Sequence, residues 1–78
     1  MDRNPITKVL RALSWLIQEP SGSTGVREMA AAMGLSPSSA HRLLTALADE
    51  GFVRQDAASS KYLLGVEFYR LEIGRAHV

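Results

Sequence analysis

Seventy-eight residues are enough for one small domain. The chain is 46% hydrophobic and 22% charged, has no cysteine, and sets nine basic residues against eight acidic ones for a net charge of +1. These are ordinary values for a globular chain; they exclude a disulfide scaffold and a thiolate metal site, and they lack the strong basic excess typical of a nucleic-acid binder. The longest uninterrupted apolar run, Met29 to Met33, is far too short to span a membrane. No secretory signal follows Met1-Asp2-Arg3-Asn4-Pro5, so a cytoplasmic location is expected. The only histidines are His41 and His77, and there is no Gly-rich phosphate loop, nucleophile elbow or paired-carboxylate motif. No enzyme activity, no cofactor and no metal are expected.

The first predicted helix runs from Asn4 to about Glu19. Asn4 suits the N-cap, and Pro5 suits the first helical position, where its missing N–H costs nothing. Ile6, Val9, Leu10, Leu13, Leu16 and Ile17 recur at helical spacing and are expected to form one buried stripe. Trp15 falls off that stripe. It is read either as half-covered by a later segment or as a contact for a second subunit. Pro20 stops the helix, and Ser21-Gly22-Ser23-Thr24-Gly25 reads as a loop.

A short second helix is predicted over Val26 to Met33, with Val26, Met29, Ala30 and Met33 on one face and Gly34 as a left-handed terminator. Gly25 with Glu28 is a weak capping box, because glycine offers no side-chain acceptor. Ser36 and Pro37 then form a new start signal. The third helix runs from Pro37 to about Glu50, buries Ala40, Leu43, Leu44 and Leu47, and ends at Gly51. Two helices joined through Gly-Leu-Ser make a helix-turn-helix. Phe52 to Asp56 and Lys61 to Leu64 read as two strands around the turn Ala57-Ala58-Ser59-Ser60, a wing. Gly65 breaks the second strand, and Val66 to about Leu71 starts a fourth helix. The expected fold is α+β and mostly helical: a winged helix-turn-helix of three helices, a two-stranded wing and the start of a fourth helix.

These pieces resemble the N-terminal winged helix-turn-helix domain of IclR-type bacterial transcription regulators. The resemblance rests on Arg11-Ala12-Leu13, on Arg27-Glu28-Met29-Ala30, on the run from Gly34-Leu35-Ser36-Pro37-Ser38-Ser39-Ala40-His41-Arg42-Leu43-Leu44 through Leu47 to Gly51-Phe52-Val53, and on Tyr62-Leu63-Leu64-Gly65. It covers about residues 6 to 71. There are two departures: Arg27 stands where relatives usually carry Ser or Thr, and the wing turn lacks the glycine often found there. The resemblance implies sequence-specific binding of a double-stranded DNA operator to regulate transcription. It also implies a homodimer or tetramer in full-length relatives, and a small-molecule effector bound by a separate C-terminal domain that is expected to be absent from this chain. Alternatives are a winged helix used as a protein-interaction module, or a MarR- or GntR-type regulator.

The residues expected to touch DNA follow from the third helix. Ser38, Arg42 and Thr45 lie opposite the leucine stripe, with Ser39 and His41 on the flanks. Arg42 can form a bidentate contact to guanine, and Thr45 can offer a hydroxyl or a methyl to a base edge. Ser38 and Ser39, with the free N–H groups of the first turn, can bind phosphate. A solvated polar face is the default for a lone amphipathic helix; the wing and the tight turn shift the reading to DNA. His41 has no companion ligand at metal-binding spacing and is read as a groove-flank or packing residue. Arg54 and Lys61 on the wing are candidates for phosphate or minor-groove contact, or serve solubility alone. Arg11 and Arg27 are candidate backbone contacts, with Arg3 and Lys8 ranked below Arg11.

The final residues Glu72-Ile73-Gly74-Arg75-Ala76-His77-Val78 depart from the resemblance. They are encodable as GAG ATC GGA AGA GCA CAC GTC followed by TGA, and from its second base that string resembles a widely used short-read sequencing adapter. The DNA-binding domain is therefore expected over residues 1–71, with a non-native tail over 72–78.

Overall fold

The computed structural model describes residues 5–70. Asn4, the expected cap of the first helix, lies outside them, as does the tail whose adapter origin is expected. Helix α1 spans Pro5–Gln18. A two-residue strand β1, Ser23–Thr24, leads into α2, Val26–Met33, and α3, Pro37–Asp49. The hairpin β2, Val53–Gln55, and β3, Tyr62–Leu64, follows, and residues 66–70 are helical and open α4.

The joint between α2 and α3 is built from local chemistry. Gly34 sits at φ 69°, a left-handed conformation that side-chain-bearing residues avoid. Its N–H donates to the Ala31 carbonyl at 3.4 Å, and the Leu35 N–H donates to the Ala30 carbonyl at 2.9 Å. Two orphan carbonyls of α2 are thereby satisfied in a Schellman motif. Ser36 then caps α3 from an extended conformation, its hydroxyl oxygen accepting from the Ser39 N–H at 3.2 Å, with Pro37 at the first helical position. At the start of α2 only half a capping box exists: Glu28 Oε1 accepts the Gly25 N–H at 2.8 Å, and glycine returns nothing.

The core gathers Ala12, Leu13 and Leu16 from α1, Met29 from α2, Leu44 and Leu47 from α3, and Val53 and Tyr62 from the hairpin. The α1 face differs from the expected stripe. Ile6, Leu10 and Ile17 are 68%, 60% and 51% exposed, whereas Ala12 is fully buried. The helix is turned toward Ala12, whose small side chain permits close approach, and toward Trp15, which is half-buried and packs against the core. Trp15 is thus half-covered, as the first of its two readings has it, and its remaining surface lines a groove with Leu10 and Met33. Leu43 is also only half-buried, at the edge of the α3 stripe formed by Ala40, Leu44 and Leu47.

The sheet has three strands, in the order β1-β3-β2, where two were expected. β1 lies in the segment read as a loop. It pairs antiparallel with β3 through Ser23 with Leu63 and Thr24 with Tyr62. A two-residue strand of Ser and Thr has no periodicity of its own; its conformation comes from its distant partner. Thr24 is fully buried, and its hydroxyl donates to the Gly25 carbonyl at 3.0 Å. In the wing, Val53 faces Leu64, Arg54 faces Leu63 and Gln55 faces Tyr62. The Gly65 N–H donates to the Phe52 carbonyl at 2.8 Å, and the Glu67 N–H donates to the Gly51 carbonyl at 3.1 Å. A Cβ on Gly65 would strike the Gly51 carbonyl, so the start of α4 docks on the end of α3 only with glycine here.

Burial sets an order of core sensitivity. Leu44→Ala and Leu47→Ala are each expected to cost about 2–5 kcal/mol, comparable to the whole stability of a domain this small. Leu43→Ala is expected to cost less than either. Chemical denaturation of the three variants checks this, and an equal or larger loss at Leu43 would mean that α3 is rotated.

Candidate nucleic-acid interface

Burial of Ala40, Leu44 and Leu47 turns the other side of α3 outward. Ser38, His41, Arg42 and Thr45 are all exposed there. The helix-period spacing of Ser38, Arg42 and Thr45 puts these three on one face, with His41 on its flank. Their acidic neighbours Asp49 and Glu50 lie at the far end of the helix.

The first turn is less open than the sequence suggested. The Ser39 N–H is held by the Ser36 hydroxyl, and the Ala40 N–H donates to the Ser36 carbonyl at 3.0 Å. Pro37 has no N–H to offer. Only the Ser38 N–H remains unpartnered in that turn. Ser39 itself is half-buried, and its Oγ accepts a hydrogen bond from the Ser36 hydroxyl at 3.0 Å. Ser39 thus belongs to the cap, with its own O–H hydrogen left over.

The wing tip is closed by Asp56. Its Oδ2 accepts from the Ser59 N–H at 2.9 Å and from the Ser59 hydroxyl at 2.8 Å. Its backbone N–H donates to the Lys61 carbonyl at 2.7 Å, and its carbonyl accepts from the Ser60 N–H at 2.8 Å. Ser60 takes up the positive φ, 64°, that a glycine would otherwise supply, and the Gln55 side-chain amide donates to its carbonyl at 2.9 Å. A carboxylate turn with one positive-φ serine therefore closes this wing without glycine. The Ser59 amide, then the Ser59 hydroxyl, hold the Asp56 carboxyl below its usual range; the Arg54 charge adds to this, and slight desolvation opposes it.

The structure does not bring all the other candidate cations to the α3 face. Arg54 points to the sheet side shared with Leu63 and borders a groove with Ile17, Val66 and Tyr69. Lys61 precedes β3, and its Nζ lies 3.8 Å from Glu28 Oε1 at the start of α2. Arg11 lines a groove between α1 and α2 with Leu10, Trp15 and Met33. Arg27 is exposed in the first turn of α2. Lys8, ranked below Arg11 from sequence, borders α3 instead, in a groove with Ser39, Arg42 and Leu43. Helical spacing alone could not show which side of α1 meets α3. Among the described residues the ion pairs are Lys61–Glu28 and Arg70–Glu67, so Arg42, Lys8, Arg11, Arg27 and Arg54 stand outside any salt bridge. No cluster of potential metal ligands occurs among the described residues, and none of their helices is long and apolar enough to cross a membrane.

Residues 5–57, which contain both helices of the turn and most of the interface, match the IclR helix-turn-helix domain. The chain belongs to the IclR family. It is 47% identical over 47 residues to the glycerol operon regulatory protein of Streptomyces coelicolor, covering 60% of this chain and 18% of that protein. It is 38% identical over 64 residues to the transcriptional repressor IclR of Escherichia coli, covering 82% of this chain and 23% of that one. The crystal structure of an IclR family transcriptional regulator from Brucella abortus superposes with a TM-score of 0.80 at 29% identity, over 96% of this chain and 29% of that chain. The chain thus spans about a fifth of the length of these curated relatives. The IclR match supplants the MarR and GntR alternatives and favours DNA-binding transcription regulation over a protein-interaction module.

The Asp56 turn has a pH signature. A carboxyl held below its usual value in the folded wing stabilises the wing fully above its unfolded pKa, about 3.9. That contribution is lost as pH falls through the lower folded value. In an NMR titration the Ser59 amide is expected to shift with a midpoint below the ordinary aspartate range, and Asp56→Asn is expected to remove the step. A midpoint at or above the ordinary value would mean that the Ser59 bonds do not form.

Proposed function

We propose that this IclR-type domain reads double-stranded operator DNA by laying α3 in the major groove. The observation that carries the reading is the single exposed face of Ser38, Arg42 and Thr45, held rigidly outward by the buried stripe behind it. Arg42 reads guanine through a bidentate contact, and Thr45 meets a neighbouring base edge. The free Ser38 N–H and hydroxyl bind a phosphate oxygen, with Ser39 and His41 at the flanks. Lys61 and Arg54 contact the sugar–phosphate backbone or the minor groove from the wing, and Arg11 and Arg27 add backbone contacts.

In the full-length regulator the domain works within a homodimer or tetramer that pairs two half-site readers. The exposed apolar side chains Leu10, Ile17, Val66 and Tyr69 support an assembly surface on α1 and α4. A separate domain binds a small-molecule effector and shifts operator affinity. The regulator acts in the cytoplasm and performs no catalysis.

Arg42→Ala tests the reading. Against duplexes enriched from a random library by the wild-type chain, it is expected to cost about 1–3 kcal/mol of binding and to relax preference at one base pair per half-site. Fold stability is expected to change by less than about 0.5 kcal/mol. Loss of helicity ahead of loss of binding would make Arg42 a structural residue and sink the assignment.

A further inference from the structure

We infer that Lys8 of α1 is a phosphate contact that sets the register of α3 on DNA, a positioning residue for Arg42. The inference rests on the major-groove reading above and extends it to a helix outside the helix-turn-helix itself.

Lys8, Ser39, Arg42 and Leu43 line one groove between α1 and α3. Among the described residues, both cations stand outside any salt bridge and no carboxylate lines the groove. Ser39 adds a directed donor. Its Oγ already accepts from the Ser36 hydroxyl, and its amide is taken by Ser36 Oγ, so the Ser39 O–H hydrogen is what remains to give. The groove therefore offers two positive charges and a hydroxyl donor. That combination suits an anion with several acceptor oxygens.

The anion at this place is a backbone phosphate. A helix seated in the major groove meets base edges along its outer face and the sugar–phosphate strands along its flanks. Arg42 lies on the outer face and also borders the groove; Lys8 reaches the same groove from the α1 side. Lys8 is half-buried; lysines at such positions pack their methylene stem and keep the ammonium at the solvent edge. An ammonium is a compact point charge that grips phosphate without the planar fork needed to read guanine. Lys8 thus fixes where α3 sits, and Arg42 reads what lies there.

The test compares Lys8→Gln, Lys8→Arg and Arg42→Gln in the 78-residue chain. Affinities are measured across a salt series with a short random-sequence duplex and with a duplex enriched from a random library. Lys8→Gln is expected to lower the salt slope by about one and to weaken both duplexes by the same factor, with the preferred sequence unchanged. Lys8→Arg is expected to restore the slope, which a purely structural role for the side chain would not demand. A measurement on the unaltered chain stands beside these: the random-sequence duplex is expected to protect Lys8 Nζ from acylation, read by mass spectrometry. An unchanged slope and an unprotected Lys8, with Arg42→Gln still lowering affinity and slope, overturn the inference and leave the α3 reading standing. If Arg42→Gln also changes nothing, the α3 reading fails and the inference falls with it.

Discussion

Gly34 at φ 69° reverses the chain so that Leu35 reaches back to the Ala30 carbonyl while Ser36 already caps the next helix. Three residues thus fix the crossing of α2 and α3, and little slack remains between them. Once the crossing is set, Met29 of α2 and Leu44 and Leu47 of α3 enter one core with Leu16 of α1. The opposite side of α3 has only solvent to face. Outward presentation of Arg42 is therefore a consequence of a left-handed turn and a leucine stripe, with no interaction of Arg42 itself required. A residue placed this way is open to a partner without first losing a salt bridge within the described residues of its own chain.

The near-neutral composition is reconciled with DNA reading by where the acids sit. Glu28 faces Lys61, and Glu67 pairs with Arg70 at 3.1 Å, both away from the α3 groove. Asp56 spends its carboxylate on the Ser59 amide and hydroxyl. Asp49 and Glu50 are held at the far end of α3. Exposed ion pairs of this kind add about 0–1 kcal/mol to stability. Among the described residues, Arg42 and Lys8 are left without a carboxylate partner, whereas Lys61 and Arg70 have one. A net charge sums over all of these places and hides the asymmetry.

What the sequence makes legible follows the range of the interactions. The Ser36–Pro37 start of α3, the Gly34 and Gly51 stops, and the strand-forming residues on either side of the turn Ala57-Ala58-Ser59-Ser60 are local signals, and the elements stand where those signals put them. β1 is illegible because Ser23 and Thr24 carry no strand pattern; Leu63 and Tyr62, far along the chain, create it. The rotation of α1 is illegible for a related reason. Periodicity weights Ile6, Leu10 and Ile17 by hydrophobicity, whereas packing rewards Ala12 for being small. That rotation also decides which cation of α1 lies beside α3: Lys8 borders the groove with Arg42, and Arg11 the groove toward α2. The outer face of α3 was legible because a helix of known buried stripe has only one other side.

The wing is tied to the recognition unit at both ends, and this bears on how the domain binds. β1 leads into α2 through Gly25 alone and is hydrogen-bonded to β3 of the wing. At the other end Phe52 directly follows the α3 terminator, and the Gly51 and Phe52 carbonyls accept the Glu67 and Gly65 amides at the start of α4. Moving the wing relative to α3 would break the β1–β3 pairing and these two bonds together. The turn around Asp56 then removes slack at the tip, where a glycine would have left more freedom. Association with a duplex must offset the ordering of whatever is mobile in the free protein. Here α3 and the wing are already ordered with respect to each other, so a contact made by one aligns the other.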